Sequence, residues 1–316
     1  MFPAVLILAA VAAGSVPAAS ALASASWPGR SPAAAILLWQ ALGLGWGLAA
    51  VGALAGLGAR PPPGPAGAGD AGVAGAALAV AAGVVRGTAF RPRGPGLAAG
   101  LRLASVAAGL VLLALLCWVL VAAFAAVFLA RRRQRDLLTL LAHGDPKVPG
   151  ALVLDHPAAA AYCVPGLRSR IVISAGTLEL LDQAELAAVL AHERAHLRER
   201  HDLVLLPFTA LLRAFRWCAV ARRAESTVAL LVEMLADDHA RRHRPARELA
   251  TALIRVGTAG SRAPSGALAA DGCEVAVRVA RLLRPPPGLP APALALVCAT
   301  ACSLVAVPAA LLLVSF

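Results

Sequence analysis

Hydrophobic and polar positions divide the chain unevenly. Four stretches carry no charged side chain: residues 1–29, 31–59, 103–130 and 285–316. A helix needs about 20 apolar residues to cross the hydrocarbon core of a bilayer, and each stretch is long enough. They predict transmembrane helices near 4–25, 33–58, 104–130 and 293–316, rich in small residues that let helices approach closely. Pro3, Pro17 and Pro308 predict kinks or ends in the first and last. A signal peptide is the alternative for the first, since Ala23-Ser24-Ala25 suits an A-x-A cleavage site. The start, Met1-Phe2-Pro3, has no basic residue, which favours a retained helix. Residues 60–102 are rich in Pro and Gly and read as a loop. Its apolar part, 71–85, is too short for a span and reads as loop or surface helix.

Residues 131–288 follow a different pattern. Ala151–Asp155, Ala161–Val164 and Arg170–Ser174 are short apolar runs bounded by Pro or Gly, which predicts strands. Asp182-Gln183-Ala184-Glu185 has capping-box spacing, which predicts a helix running to about Arg200. Further helices are expected near 203–220, 222–243, 246–257 and 273–284. The 203–220 segment is apolar enough to resemble a span, but Pro207, Arg213 and Arg216 favour a core or membrane-surface helix. The expected organisation is a membrane region over 1–130 with three spans, an α+β domain over 131–288, and a last span over 289–316. The fold class is thus a mostly α membrane protein with an inserted α+β domain.

Composition supports the membrane reading. Only 15% of residues are charged, against about 25% in soluble domains, and the mean hydropathy is +0.76. Of the 29 basic residues, 23 lie between Arg131 and Arg284, so the net charge of +12 belongs mainly to one region. No basic motif interleaved with aromatics accompanies it, and direct nucleic-acid binding is not expected. Arg131, Arg132, Arg133 and Arg135 follow the third apolar run at once, which predicts a cytoplasmic anchor and a cytoplasmic 131–288 domain. The 60–102 loop would then lie outside, where its five arginines against Asp70 fit poorly. The four spans contain no ionisable side chain to mark a transport path. Cys117, Cys163, Cys218, Cys273, Cys298 and Cys302 show no paired spacing and read as free thiols.

The candidate chemistry lies in His192-Glu193-Arg194-Ala195-His196. On a helix, positions i and i+4 share a face, so the two imidazoles can bind one Zn²⁺ while Glu193 reaches the water beside it. A catalytic zinc site usually has three protein ligands. Six residues after His196 stands Asp202, not a histidine, and His201 falls on a different helical face from His196. Glu233 is the better third ligand, because a lone carboxylate in an apolar helix is costly unless paired or metal-bound. Asp237, one turn on, suits a hydrogen bond from a ligand histidine; a helical salt bridge from Asp237 or Asp238 to Arg241 or Arg242 is the alternative. The set predicts one zinc per chain and peptide hydrolysis.

The order of Ala161-Tyr162-Cys163-Val164-Pro165-Gly166, Arg170-Ile171-Val172-Ile173-Ser174, Leu190-Ala191-His192-Glu193-Arg194-Ala195-His196 and Glu233-x-x-x-Asp237 resembles the BlaR/MecR-type membrane zinc metallopeptidases. These are related to the HtpX and CAAX-prenyl protease group. The resemblance covers about residues 131–284 and implies a zincin domain of the gluzincin kind. It implies that His192, His196 and Glu233 are zinc ligands, Glu193 the general base, and Asp237 an aspartate beside the site. It also implies that Arg278, opening Arg-Val-Ala-Arg-Leu, has a transition-state or structural role, and that Tyr162, Cys163 and Val164 border the substrate cleft. The histidine often found upstream of that arginine is absent. The implied partner is a protein substrate, a BlaI/MecI-like repressor, which would make the chain a signalling protease in the cell membrane. The alternatives are HtpX-like quality control and a catalytically inactive sensor or scaffold. The sequence has no S-x-x-K acylation motif, so sensing by acylation is not expected of it.

Overall fold

The computed structural model describes residues 2–58, 95–145, 148–164, 169–260 and 268–315. Its elements are α1 (Phe2–Ser24), a 3₁₀ turn (Trp27–Arg30), α2 (Pro32–Gly58), α3 (Pro95–Leu141), β1 (Ala142–Gly144), β2 (Ala151–Leu154), β3 (Ala161–Val164), β4 (Arg170–Ser174), α4 (Ala175–Leu180), α5 (Gln183–Glu199), α6 (His201–Ala214), α7 (Ala219–Ala240), α8 (Ala246–Gly260), α9 (Leu268–Leu283) and α10 (Ala291–Ser315). Among the described residues, four helices are long and apolar enough to cross a membrane, over Pro3–Ser24, Pro32–Gly58, Gly100–Leu138 and Ala291–Val314. The third differs from the expectation. Residues 95–102 are helical rather than loop, and the helix continues through the arginine cluster to Leu141. An arginine run ends an apolar span but is a good helix former, so nothing in it stops the backbone. The rest of the expected loop, 59–94, lies outside the described residues.

The chain forms two compact units: one of 1–25, 34–119 and 290–316, the other of 26–33 and 120–289. In the first, Leu8 packs with Ala49 and Ala53. Glycines set the spacing: a Cβ on Gly45 would strike the Leu304 carbonyl, and one on Gly109 would press on the backbone of α2, as in small-residue membrane packing.

In the second unit a four-stranded sheet has the order β1-β2-β4-β3. β2 and β4 are parallel, while β1 and β3 are antiparallel to their neighbours. One face, with Ala151, Val153, Ile171 and Ile173, packs on Leu186, Val189 and Leu190 of α5 and Ala252 of α8. The other face places Val164 and Val172 against Leu138 near the end of α3. The three expected strands and the helices after them form, but the helix expected over 203–220 ends at Ala214 and the next begins at Ala219; β1 and the six-residue α4 are too short for a periodic signal. The unit also takes in residues 26–33. Arg30 Nε donates to Pro287 O at 3.0 Å, and Arg281 Nε to Gly29 O at 2.7 Å.

The start of α5 is fixed by the capping box the spacing predicts. Glu185 N–H donates to Asp182 Oδ1 at 2.8 Å, and Asp182 N–H to Glu185 Oε2 at 3.0 Å. Arg255 Nη1 of α8 adds a 2.9 Å bond to the buried Glu185. Asp182→Ala is expected to destabilise this unit by about 1 kcal/mol, measured as a lower thermal unfolding midpoint of the solubilised chain.

Candidate metal centre

α5 brings His192 and His196 to one side of the same helix. Their Nε2 atoms lie 3.0 Å apart, with the ring planes at 70°. Glu233, from α7, reaches the same point: Oε2 is 3.4 Å from His192 Nε2 and Oε1 is 3.4 Å from His196 Nε2. One ligand atom from each of the three lies within 4.8 Å of the others. Two imidazole lone pairs and a carboxylate converging this closely repel one another unless a positive charge sits among them. Imidazole nitrogens and a carboxylate oxygen are also donors that suit zinc. The residues therefore fit a zinc ion.

Asp237 lies behind His192, with Oδ1 3.0 Å from Nδ1. The approach is off the line of the ring N–H, so it is a close charge contact rather than an aligned hydrogen bond. Asp237 does not pair with Arg241 or Arg242. Arg278, from α9, holds it through Nε at 2.9 Å and Nη2 at 2.8 Å, and its Nη1 lies 2.9 Å from Glu233. One buried guanidinium thus orients the candidate ligand and the aspartate together. Asp238 takes a parallel grip from Arg281, at 2.8 and 2.7 Å, and an ion pair with Arg241 at 3.5 Å. Arg281 was not foreseen; its only signal was its place one turn after Arg278.

The electrostatics follow. Burial opposes charge on His192, but Asp237 and Glu233 outweigh it and lift the imidazole to about 9. Burial and the neighbouring His192 push His196 down to about 4. Burial disfavours the Glu233 and Asp237 carboxylates, yet His192 and Arg278 hold both at about 2. The centre thus keeps its carboxylates ionised. Glu193 lies in the same cavity, and burial raises its carboxyl despite the opposing charge of His192. Cys163 lines the same cavity, and burial, then the charge of Glu193, pushes its thiol up to about 12.

The cavity holds about 420 Å³ and is lined by Ala161, Tyr162 and Cys163 of β3, by His192, Glu193, His196, Glu233 and Arg278, and by Leu249, Ala252, Leu253 and Val256 of α8. The α8 residues recur at i, i+3, i+4 and i+7, so the apolar stripe of that helix was the available signal. Val164 does not border the cavity. It is 1% exposed and packs on Leu138 and Val172, on the face of the sheet away from α5. Pro165 and Gly166 lie outside the described residues.

His201 also departs from the helical-wheel expectation. The helix ends at Glu199, and Arg200 takes a left-handed φ of 53°. The reversal carries His201 back, so its Nδ1 lies 3.0 Å from His196 Nδ1. Its Nε2 is 3.5 Å from Glu199 Oε2, and Glu199 Oε1 is held at 2.8 Å by His239. A proton on His196 Nδ1 would leave Nε2 free as a donor toward the centre, and His201 is the group placed to accept that proton.

Comparison with known proteins gives one match. The profile of peptidase family M48 matches residues 105–238, a stretch that contains His192, Glu193, His196, Glu233 and Asp237 and stops short of Arg278. No curated protein and no solved structure matches the chain. The match and the four apolar helices support a membrane-associated metallopeptidase of zincin type.

His201→Ala is expected to weaken zinc binding by about 10- to 100-fold, as removal of an outer-shell partner does. Competition with a chromogenic chelator measures it. An unchanged affinity would return His201 to a packing role.

Proposed function

We propose that this chain is a membrane-anchored zinc endopeptidase in which His192, His196 and Glu233 hold the metal and Glu193 is the general base. The observation that carries the reading is the convergence of two imidazole nitrogens and one carboxylate within 4.8 Å, with Glu193 in the same cavity. Zinc bound there supplies Lewis acidity toward the scissile carbonyl and lowers the pKa of water to about 7. Glu193 takes a proton from the attacking water and delivers it to the leaving amine as the C–N bond breaks. Burial lifts the Glu193 carboxyl, which suits a group that must both accept and return a proton. Arg278 keeps Glu233 and Asp237 in place, and Asp237 fixes the ring of His192. β3 ends the sheet order, so the backbone beside Tyr162 and Cys163 can pair with an extended substrate strand.

The arginines from Arg131 to Arg135 support a cytoplasmic catalytic unit. The resemblance to BlaR/MecR-type peptidases supports a cytoplasmic repressor as the substrate, and hence signalling by proteolysis. HtpX-like quality control would use the same site on misfolded membrane proteins. Incubating the reconstituted chain with a repressor encoded beside its gene, and with an unfolded membrane protein, separates the two.

Glu193→Gln should abolish turnover, by at least the roughly 100- to 10,000-fold worth of acid–base help, while zinc content stays near one per chain. Glu233→Ala should lose both. Metal analysis and peptide cleavage on the two variants check this; zinc retained in Glu233→Ala would remove it from the ligand set. A reporter fused after Arg284 should read cytoplasmic and one after Phe316 extracellular; the reverse pattern would take cytoplasmic repressors off the substrate list.

A further inference from the structure

We infer that the turn joining α6 to α7, with the outward face of α6, seats on an anionic lipid surface. The inference is independent of the peptidase chemistry. At the tip of this turn Trp217 is 80% exposed. Outside the candidate spans it is the only large aromatic so exposed among the described residues. It stands edge-on to Phe215, with ring centroids 6.1 Å apart, and Arg222 Nη1 closes the turn on Arg216 O at 2.6 Å. An indole presented to water on a closed turn leaves apolar area unburied, whereas an indole at a headgroup boundary has both its faces matched.

The helix leading to the tip has the same character. No charged residue occurs from Leu203 to Leu212, and the outward positions Leu203 and Pro207 are apolar. A helix facing water would carry polar side chains there. The start of α6 rests on the end of an apolar run. Arg131 Nη2 pairs with Asp202 Oδ2 at 2.8 Å. Phe124 and Phe128 line a small cavity with Leu203 and Leu206, and both phenylalanines belong to the candidate span Gly100–Leu138. α6 therefore begins where that span gains its arginines, the depth at which a helix leaves hydrocarbon.

Charge selects the occupant. Arg213, Arg216, Arg222 and Arg223 are all exposed around the tip, and Glu225 is the only acid between residues 203 and 232. A second copy of the chain, meeting this face with its own, would oppose arginines with arginines. Anionic headgroups complement the arginines while the tryptophan and leucine enter the acyl boundary.

The test uses the full chain in vesicles of phosphatidylcholine with phosphatidylglycerol. A photoreactive benzophenone side chain is installed at position 217, and in a control at position 241, which lies about 30 Å away at the other end of α7. Position 217 should give phospholipid adducts and position 241 none, with the yield falling severalfold when phosphatidylglycerol is left out. Adducts to a second copy of the chain, or equal lipid labelling at both positions, would overturn the inference. A second measurement avoids the altered side chain. The fluorescence of the native chain minus that of Trp217→Ala isolates the indole. Bromine-labelled lipid should quench it and acrylamide in the water should not; the opposite result would also overturn the inference.

Discussion

The convergence of two imidazole nitrogens and a carboxylate is the constraint on which the rest of this unit depends. Three electron-rich groups brought within 4.8 Å cannot stay together without a compensating positive charge. The surroundings hold them there. Asp237 sits behind His192, Arg278 ties Asp237 to Glu233, and Glu199 and His239 stand behind His201, which touches His196. Half of these side chains are buried and the rest half-buried, where an unpaired charge is costly, so each ion has a partner of opposite sign or a ring nitrogen in contact.

The scaffold serves that arrangement through a few decisions of the chain. The capping box at Asp182 sets where α5 starts and hence which residues face the sheet and which face α7. The left-handed Arg200 ends the helix one residue before His201 and turns it back toward His196. α7 supplies Glu233, Asp237 and Asp238 from one helix, and α9 answers with Arg278 and Arg281 one turn apart. β3, at the end of the sheet, brings Cys163 against Glu193 and places a strand along the cavity.

Much of this was legible in the sequence. The i, i+4 spacing of His192 and His196, the capping box, and the lone Glu233 in an apolar helix each obey a local rule, and local rules survive folding. What was missed depends on chain reversal or on contacts between distant elements. His201 was assigned by helical periodicity, and periodicity fails where the helix ends. Val164 shares a strand with Tyr162 and Cys163, but its side chain is taken up by Leu138 and Val172, a contact between distant elements. Arg281 and the α8 stripe matter only because α7, α8 and α9 meet. The continuation of α3 through its arginines had no stop signal to betray it, and neither β1 nor α4 is long enough to show a period.

X-ray absorption at the zinc edge of the purified full chain tests the central claim most directly. The account predicts two imidazole nitrogens, a carboxylate oxygen and one further light atom, all at about 2.0–2.2 Å, with no sulfur. A sulfur shell at about 2.3 Å would place Cys163 in the coordination sphere, and a fit requiring three imidazoles would put His201 where Glu233 is assigned. Either would contradict it.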